Sequence, residues 1–311
     1  MIPASRSRTA LSWVGLLLAV TALGCTAERD TNDAAPSAPP ATDIFHAAYT
    51  VQGDSIAIAS PINRTQRTGY DNQPQFTFDG QALLYTSARN GQTDIYRWPL
   101  DADAPHPVTA TPTSEYSPTP LSDSTYAVVR VEENGTQRLW QFSIQAATIP
   151  AETGTVLLPQ IEPVGYFAPV DTTHWALFVL GEPPTLQWTP RSPNINPTVV
   201  HRNIGRSIQA HPDGRRISAV QRHPETQDSL LVVRSPGDVT TYAPALEGEG
   251  DHAWTPEGHL LMTSGTALYQ WHPEAASWRM VHDWTPATPS RIAVSPQGGQ
   301  LAVVVAPADS S

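Results

Sequence analysis

YDNQPQFTFDGQALLYTSARNGQTDIYRWPL, residues Tyr70–Leu100, reads as three short strands joined by two tight turns. Asp79-Gly80 separates the first two strands, because glycine takes the positive φ of a tight hairpin at little steric cost. An apolar run follows at Ala82–Tyr85, and an alternating strand follows that at Ile95-Tyr96-Arg97-Trp98.

The phrase recurs down the chain. Asp213-Gly214 lies 134 residues on, three steps of about 45. Glu257-Gly258 comes 44 residues later and Gln297-Gly298 another 40 after that. Two drifted copies, Pro120–Val129 and Ala168–Val179, fill the intervening places. Apolar runs follow each turn at Tyr126–Val129, Trp175–Val179, Ile217–Val220, Leu260–Met262 and Leu301–Val305. Short strands repeating at that period are the pattern of a propeller blade, and 31 prolines with no sustained helical stripe point to an all-β fold.

The two ends complete one another. The last copy, Arg291–Ser311, supplies strands a and b of a blade and stops. The segment beginning at Asp43 opens with Asp43-Ile44-Phe45, which matches Asp94-Ile95-Tyr96 at the start of strand c, and Ser55–Ser60 would supply strand d. The sequence therefore predicts a six-bladed β-propeller over residues 43–311, closed by N-terminal strands c and d pairing with C-terminal strands a and b. Such closure removes two sheet edges.

QPQFTFDGQALLYTS, TDIYRW, IQAHPDGRRISAV (Ile208–Val220), HAWTPEGHLLMT (His252–Thr263) and IAVSPQGGQLAVV (Ile292–Val304) resemble the TolB-type propeller repeat, also called PD40 or WD40-like. The resemblance implies a six-bladed propeller. It does not carry over a role in the Tol–Pal system, because the separate N-terminal domain of TolB is missing and a different leader is present.

That leader, residues 1–24, has Arg6 and Arg8 ahead of the apolar run Ala10–Gly24, which reads as a secretory signal. Cys25 is the sole cysteine, and Ala22-Leu23-Gly24-Cys25 resembles a bacterial lipobox, implying a lipidated Cys25. Residues 25–42 carry that cysteine and a polar, proline-rich tether. The expected address is the cell envelope, at the outer membrane facing the periplasm in a Gram-negative cell, with membrane contact through the lipid alone.

Eighteen basic residues, all arginine, face 29 acids for a formal charge of −11, a balance that repels phosphate backbones and excludes nucleic-acid binding. No G-x-S-x-G, H-E-x-x-H or phosphate-loop pattern occurs, and the ten histidines are scattered without close metal-ligand spacing. No catalytic residue is assigned.

The aromatic strand residues Tyr96, Trp98, Trp140, Phe142, Trp188, Tyr269 and Trp271 are expected to pack between blades. Candidate binding residues lie instead just before each innermost strand, around the channel mouth: Asp71, Asn72, Glu115, Tyr116, Tyr166, Arg206, Asp251, His252 and Arg291. Tyrosine and arginine there would anchor a peptide segment. Asp71, Glu115 and Asp251 would gather oxygens around a hard cation such as calcium. The expected function is a monomeric, non-catalytic module that binds an envelope protein or peptide. The alternative is a calcium-dependent propeller hydrolase acting on a lactone or phosphoester.

Overall fold

The computed structural model describes residues 39–144, 154–248 and 250–307. The leader, Cys25 and the tether up to residue 38 lie outside them. The described residues contain no helix; they form six antiparallel sheets, each a propeller blade.

Blade 1 is the opening stretch, with strands Asp71–Phe76, Ala82–Arg89, Gln92–Pro99 and the short His106–Pro107. Its first turn forms as the Asp-Gly pair dictates. Gly80 has φ +67°, Gly80 N donates to Thr77 O at 2.8 Å, and Gln81 N donates to Asp79 Oδ1 at 3.0 Å. The same left-handed glycine recurs at Gly214, Gly258 and Gly298. Blades 2 to 5 follow in chain order, with inner strands Ser114–Pro120, Val164–Pro169, Ile204–Ala210 and His252–Trp254.

Blade 6 joins the two ends. Thr288–Val294 and Gln300–Ala306 are its inner strands, and Asp43–Gln52 pairs antiparallel with the second of them, from Asp43 opposite Val305 to Ala48 opposite Gln300. The fourth strand is broken into Ser55–Ile58 and a two-residue piece, Ile62–Asn63, both paired to Asp43–Gln52. Neighbouring blades grip this N-terminal segment. Ile56 N donates to Gln270 Oε1 at 2.8 Å, Gln270 Nε2 donates to Asp54 O at 2.6 Å, and Thr42 N donates to Gly69 O at 3.0 Å.

The core is divided into six layers, one between each pair of adjacent blades. This explains the continuous apolar runs of the second strands: a neighbouring blade covers each face, so Ala82–Tyr85 is buried throughout. Trp98, Trp140, Phe142, Trp188 and Trp271 pack in these layers as expected, together with Tyr96, while Tyr269 is half-buried outside them. Ile44, Val303 and Val304 are at most 1% exposed, so burial as well as hydrogen bonding holds the seam.

Candidate functional site

The innermost strand of each blade has a partner on one side only, and its other edge faces the axis. Five of the six depart from regular pairing near their start, with register shifts at Asn72/Gln75, Tyr116/Thr119, Val164/Tyr166, Ile204/Ile208 and Ser290/Ile292. Such bulges re-aim side chains. Gln73, Ser117 and Arg291 take positive φ of 54°, 55° and 32° at these points. In blades 1 and 2 a proline follows, Pro74 and Pro118, tolerated because an edge strand needs no N–H on its open side.

The result is an axial cavity to which every blade contributes one bulge or pre-strand residue: Gln73, Ser117, Tyr166, Arg206, Asp251 and Arg291. The space in it that water can occupy is small, about 60 Å³, and it opens to solvent. Asp251 is its electrostatic centre. Arg206 Nη2 donates to Asp251 Oδ2 at 3.0 Å, and Arg291 Nη1 lies 3.5 Å from Oδ1. Arg291 Nη2 donates to the Tyr166 hydroxyl at 2.8 Å, with the guanidinium carbon 4.5 Å from the Tyr166 ring centroid. Burial works to raise the Asp251 pKa, but Arg291 and then Arg206 outweigh it and hold the carboxyl below its usual range. The group is therefore ionised.

Four of the nine sequence-predicted residues, Tyr166, Arg206, Asp251 and Arg291, thus come together. Tyr116 is half-buried against the layer between blades 2 and 3, within electrostatic reach of Tyr70. The other four are engaged elsewhere. Asp71 is fully buried and clamped by Arg67, whose Nε lies 2.8 Å from Oδ2 and whose Nη2 donates to Oδ1 at 2.9 Å. The same Nη2 also reaches Tyr70 O, Ser87 Oγ and Ala88 O. Asn72 donates to Thr42 Oγ1 at 3.3 Å and so helps seat the N-terminal segment.

Glu115 is fully buried, accepts a hydrogen bond from Thr111 Oγ1, and lies 3.7 Å from Arg130 Nε. Burial, aided by the Asp94 charge and opposed by Thr111 and Arg130, pushes its pKa up to about 7. His252 is fully buried and shares a 2.8 Å hydrogen bond with Ser218 Oγ, which also accepts from Trp254 Nε1 at 2.8 Å. Burial lowers its pKa to about 4. The Ser218–His252 pair is out of reach of any substrate, because both residues are 0% exposed.

The three carboxylates projected onto one rim do not converge on a metal-binding group; each lies beside its own arginine partner or partners. Among the described residues no group of three or more His, Cys, Asp or Glu is placed to hold a metal ion.

Tyr70 adjoins the cluster although it is not among the nine sequence-predicted residues. It lies within electrostatic reach of Arg291, Tyr166, Tyr116 and Arg206, and burial pushes its hydroxyl pKa upward. Its sequence signal is periodic: Tyr70, Tyr116 and Tyr166 recur at roughly one-blade intervals.

No family model and no curated protein sequence matches this chain. Solved structures do match. A protein assigned as TolB from Agrobacterium tumefaciens superposes with a TM-score of 0.61 at 14% identity, covering 85% of this chain and 98% of that one. TolB from Acinetobacter baumannii gives 0.52 at 13% identity, covering 85% of this chain and 63% of that one. A gluconolactonase, XC5397 from Xanthomonas campestris, gives 0.58 at 12% identity over 88% and 99%. At such identities the likeness is one of fold, and the same fold carries different functions. The chain has the six-bladed β-propeller fold that these proteins share.

Proposed function

We propose that this protein is a lipid-anchored β-propeller of the cell envelope that binds a protein or peptide through its channel face and catalyses no reaction. The observation that supports this reading is the axial cluster Arg206–Asp251–Arg291–Tyr166. Arginine and tyrosine combine a flat, largely apolar surface with directional donors, the pairing that anchors peptide segments in partly desolvated pockets. Six sheets packed in a closed ring hold these side chains in place before any ligand arrives, which lowers the ordering cost of binding.

Capture from detergent-solubilised envelopes tests the reading. Wild-type protein is expected to retain a partner. That partner should be lost in the double variant Tyr116→Ala/Tyr166→Ala. It should also be lost in Gln209→Trp, which places a bulky ring at a half-buried position lining the cavity. Retention of every captured protein by both variants would show that the channel face is the wrong surface.

A further inference from the structure

We propose that the ring has a second docking surface at its other mouth, where an apolar funnel rimmed by acids takes a basic segment of a partner protein that inserts an aromatic side chain. This surface lies at the turn end of the innermost strands, opposite the Asp251 cluster, and goes beyond the channel-face reading.

The funnel comes from the repeat. Each innermost strand ends in the turn that leads to the second strand, so the turns gather at one end of the axis. In blades 4, 5 and 6 that turn exposes a proline, Pro212, Pro256 and Pro296. Blade 1 has Phe78 in the same place, 45% exposed. Together with Trp254 and Val294 these four side chains wall a space of about 420 Å³ that water can occupy, against about 60 Å³ in the axial cavity. Gln75 and Gln209 line both spaces, so the funnel continues along the axis into the channel. Flat proline and phenyl faces suit an aromatic ring, which buries much apolar area at little entropic cost. The two glutamine amides at the floor can meet the N–H or O–H of a tryptophan or tyrosine. The wall is set in advance: Gln297 Nε2 donates to Phe78 O, and Gly298 N donates to Ser295 O at 2.8 Å.

Charge selects the occupant. The six turns carry five acids, Asp79, Asp123, Asp171, Asp213 and Glu257, against two arginines, Arg215 and Arg216. Arg216 Nε lies 2.6 Å from Asp213 Oδ2. Thr77 Oγ1 and Gln81 N donate to Asp79 Oδ1 and hold that carboxyl below its usual range. A rim with this acidic excess attracts lysine and arginine. It repels a second copy, which brings the same turns on a chain of formal charge −11. The tether is a poor match too, with Glu28, Asp30 and Asp33 against Arg29 alone. It also joins the ring at the opposite mouth, where Thr42 Oγ1 donates to Asp71 O at 2.9 Å. The occupant is therefore a separate, basic protein segment.

The test is calorimetric titration of the purified full-length protein with three N-acetylated pentapeptide amides: tryptophan flanked by paired lysines, alanine flanked by paired lysines, and tryptophan flanked by paired glutamates. The first is expected to bind about ten-fold or more tightly than either of the others, and its advantage over the glutamate peptide should shrink in high salt. Phe78→Ser should weaken it about ten-fold, the scale of one lost interface anchor. Asp123→Asn/Glu257→Gln should weaken it about three-fold, the scale of two exposed charge pairs.

Equal binding of the two lysine peptides refutes the aromatic anchor, and equal binding of the two tryptophan peptides refutes the acidic rim; either result, or no binding of the first peptide, overturns the proposal without any variant. Binding kept by Phe78→Ser but lost in Tyr116→Ala/Tyr166→Ala would place the peptide at the other mouth and overturn it as well. Envelope capture keeps the two surfaces apart. A partner lost in Phe78→Ser but kept by the double tyrosine variant supports the funnel, whereas the reverse pattern assigns that partner to the channel face and leaves the earlier reading in place.

Discussion

Ile44 and Val304 are 260 positions apart in sequence and directly opposite one another in blade 6, where the two ends of the chain pair. Both sit in the layer between blades 6 and 1, at 1% and 0% exposure. Ile44→Ala removes three buried carbons, worth about 0.8 kcal/mol each before the cavity contribution, so a loss of roughly 3–4 kcal/mol is expected. Val304→Ala removes two carbons and should cost about 2–3 kcal/mol by the same reasoning. For a domain of this size the first loss corresponds to a fall in Tm of roughly 10 °C. The informative quantity is the coupling. Residues in contact share a cavity once both are truncated, so the double variant should depart from additivity by about 1 kcal/mol. Leu260→Ala in the layer between blades 4 and 5 is the control, because Leu260 is equally buried and shares no packing layer with Ile44; that pair should add to within about 0.5 kcal/mol. Urea unfolding of the four proteins in each cycle measures both couplings. If the Ile44–Val304 coupling is no larger than the control, the two ends do not share a blade, and the geometry of the channel falls with them.

Glu115 and His252 should give opposite slopes of stability with pH. The raised Glu115 pKa means that the folded state holds a proton the unfolded chain loses, so Glu115 erodes stability as pH rises from about 4.5 to about 7, by up to roughly 3 kcal/mol. The lowered His252 pKa means that the unfolded chain gains a proton first, so stability falls as pH drops from about 6.5 to about 4, by a similar amount. The two effects offset one another in the wild type; Glu115→Gln should expose the acid-side loss and His252→Gln the neutral-side loss, and parallel pH profiles for the two variants would contradict the burial described. Gly80→Ala should cost more than Gly91→Ala in urea unfolding, roughly 2 against 1 kcal/mol. Both glycines have positive φ, but a Cβ at Gly80 would lie 2.7 Å from Oγ of the short, buried Ser295 as well as 2.5 Å from Gln297 Oε1, whereas Gly91 opens onto free space. Cys25→Ser should abolish incorporation of labelled palmitate and move the protein from the membrane fraction to the soluble fraction; unchanged labelling would remove the lipid anchor from the proposal.

Blade boundaries are legible in the sequence because a turn is a local event. Asp79-Gly80 needs only its own backbone to be read, and its recurrence counts the blades. The seam was legible for a related reason: Asp43-Ile44-Phe45 repeats the wording of Asp94-Ile95-Tyr96, so the missing half-blade could be matched to its place. Facing direction is another matter. Side chains on a strand alternate with a period of two, and one bulge reverses every residue beyond it. Counting forward from the repeat therefore reached residues that line the axial cavity in blades 3 to 6, at Tyr166, Arg206, Asp251 and Arg291. In blades 1 and 2 it stopped at Asp71-Asn72 and Glu115-Tyr116, while the bulges turn Gln73 and Ser117 into the cavity. The pairs Gln73-Pro74 and Ser117-Pro118, 44 residues apart, are the trace those bulges leave in the sequence. The carboxylates misled for a separate reason. A buried acid is defined by its partner, and the Glu115 partner Arg130 lies on the next strand of its own blade, while that of Asp71, Arg67, lies in the loop that enters blade 1. Neither pairing is set by the repeat, so a count of acids per blade could not separate neutralised carboxylates from the one acid, Asp251, that two arginines share across three blades.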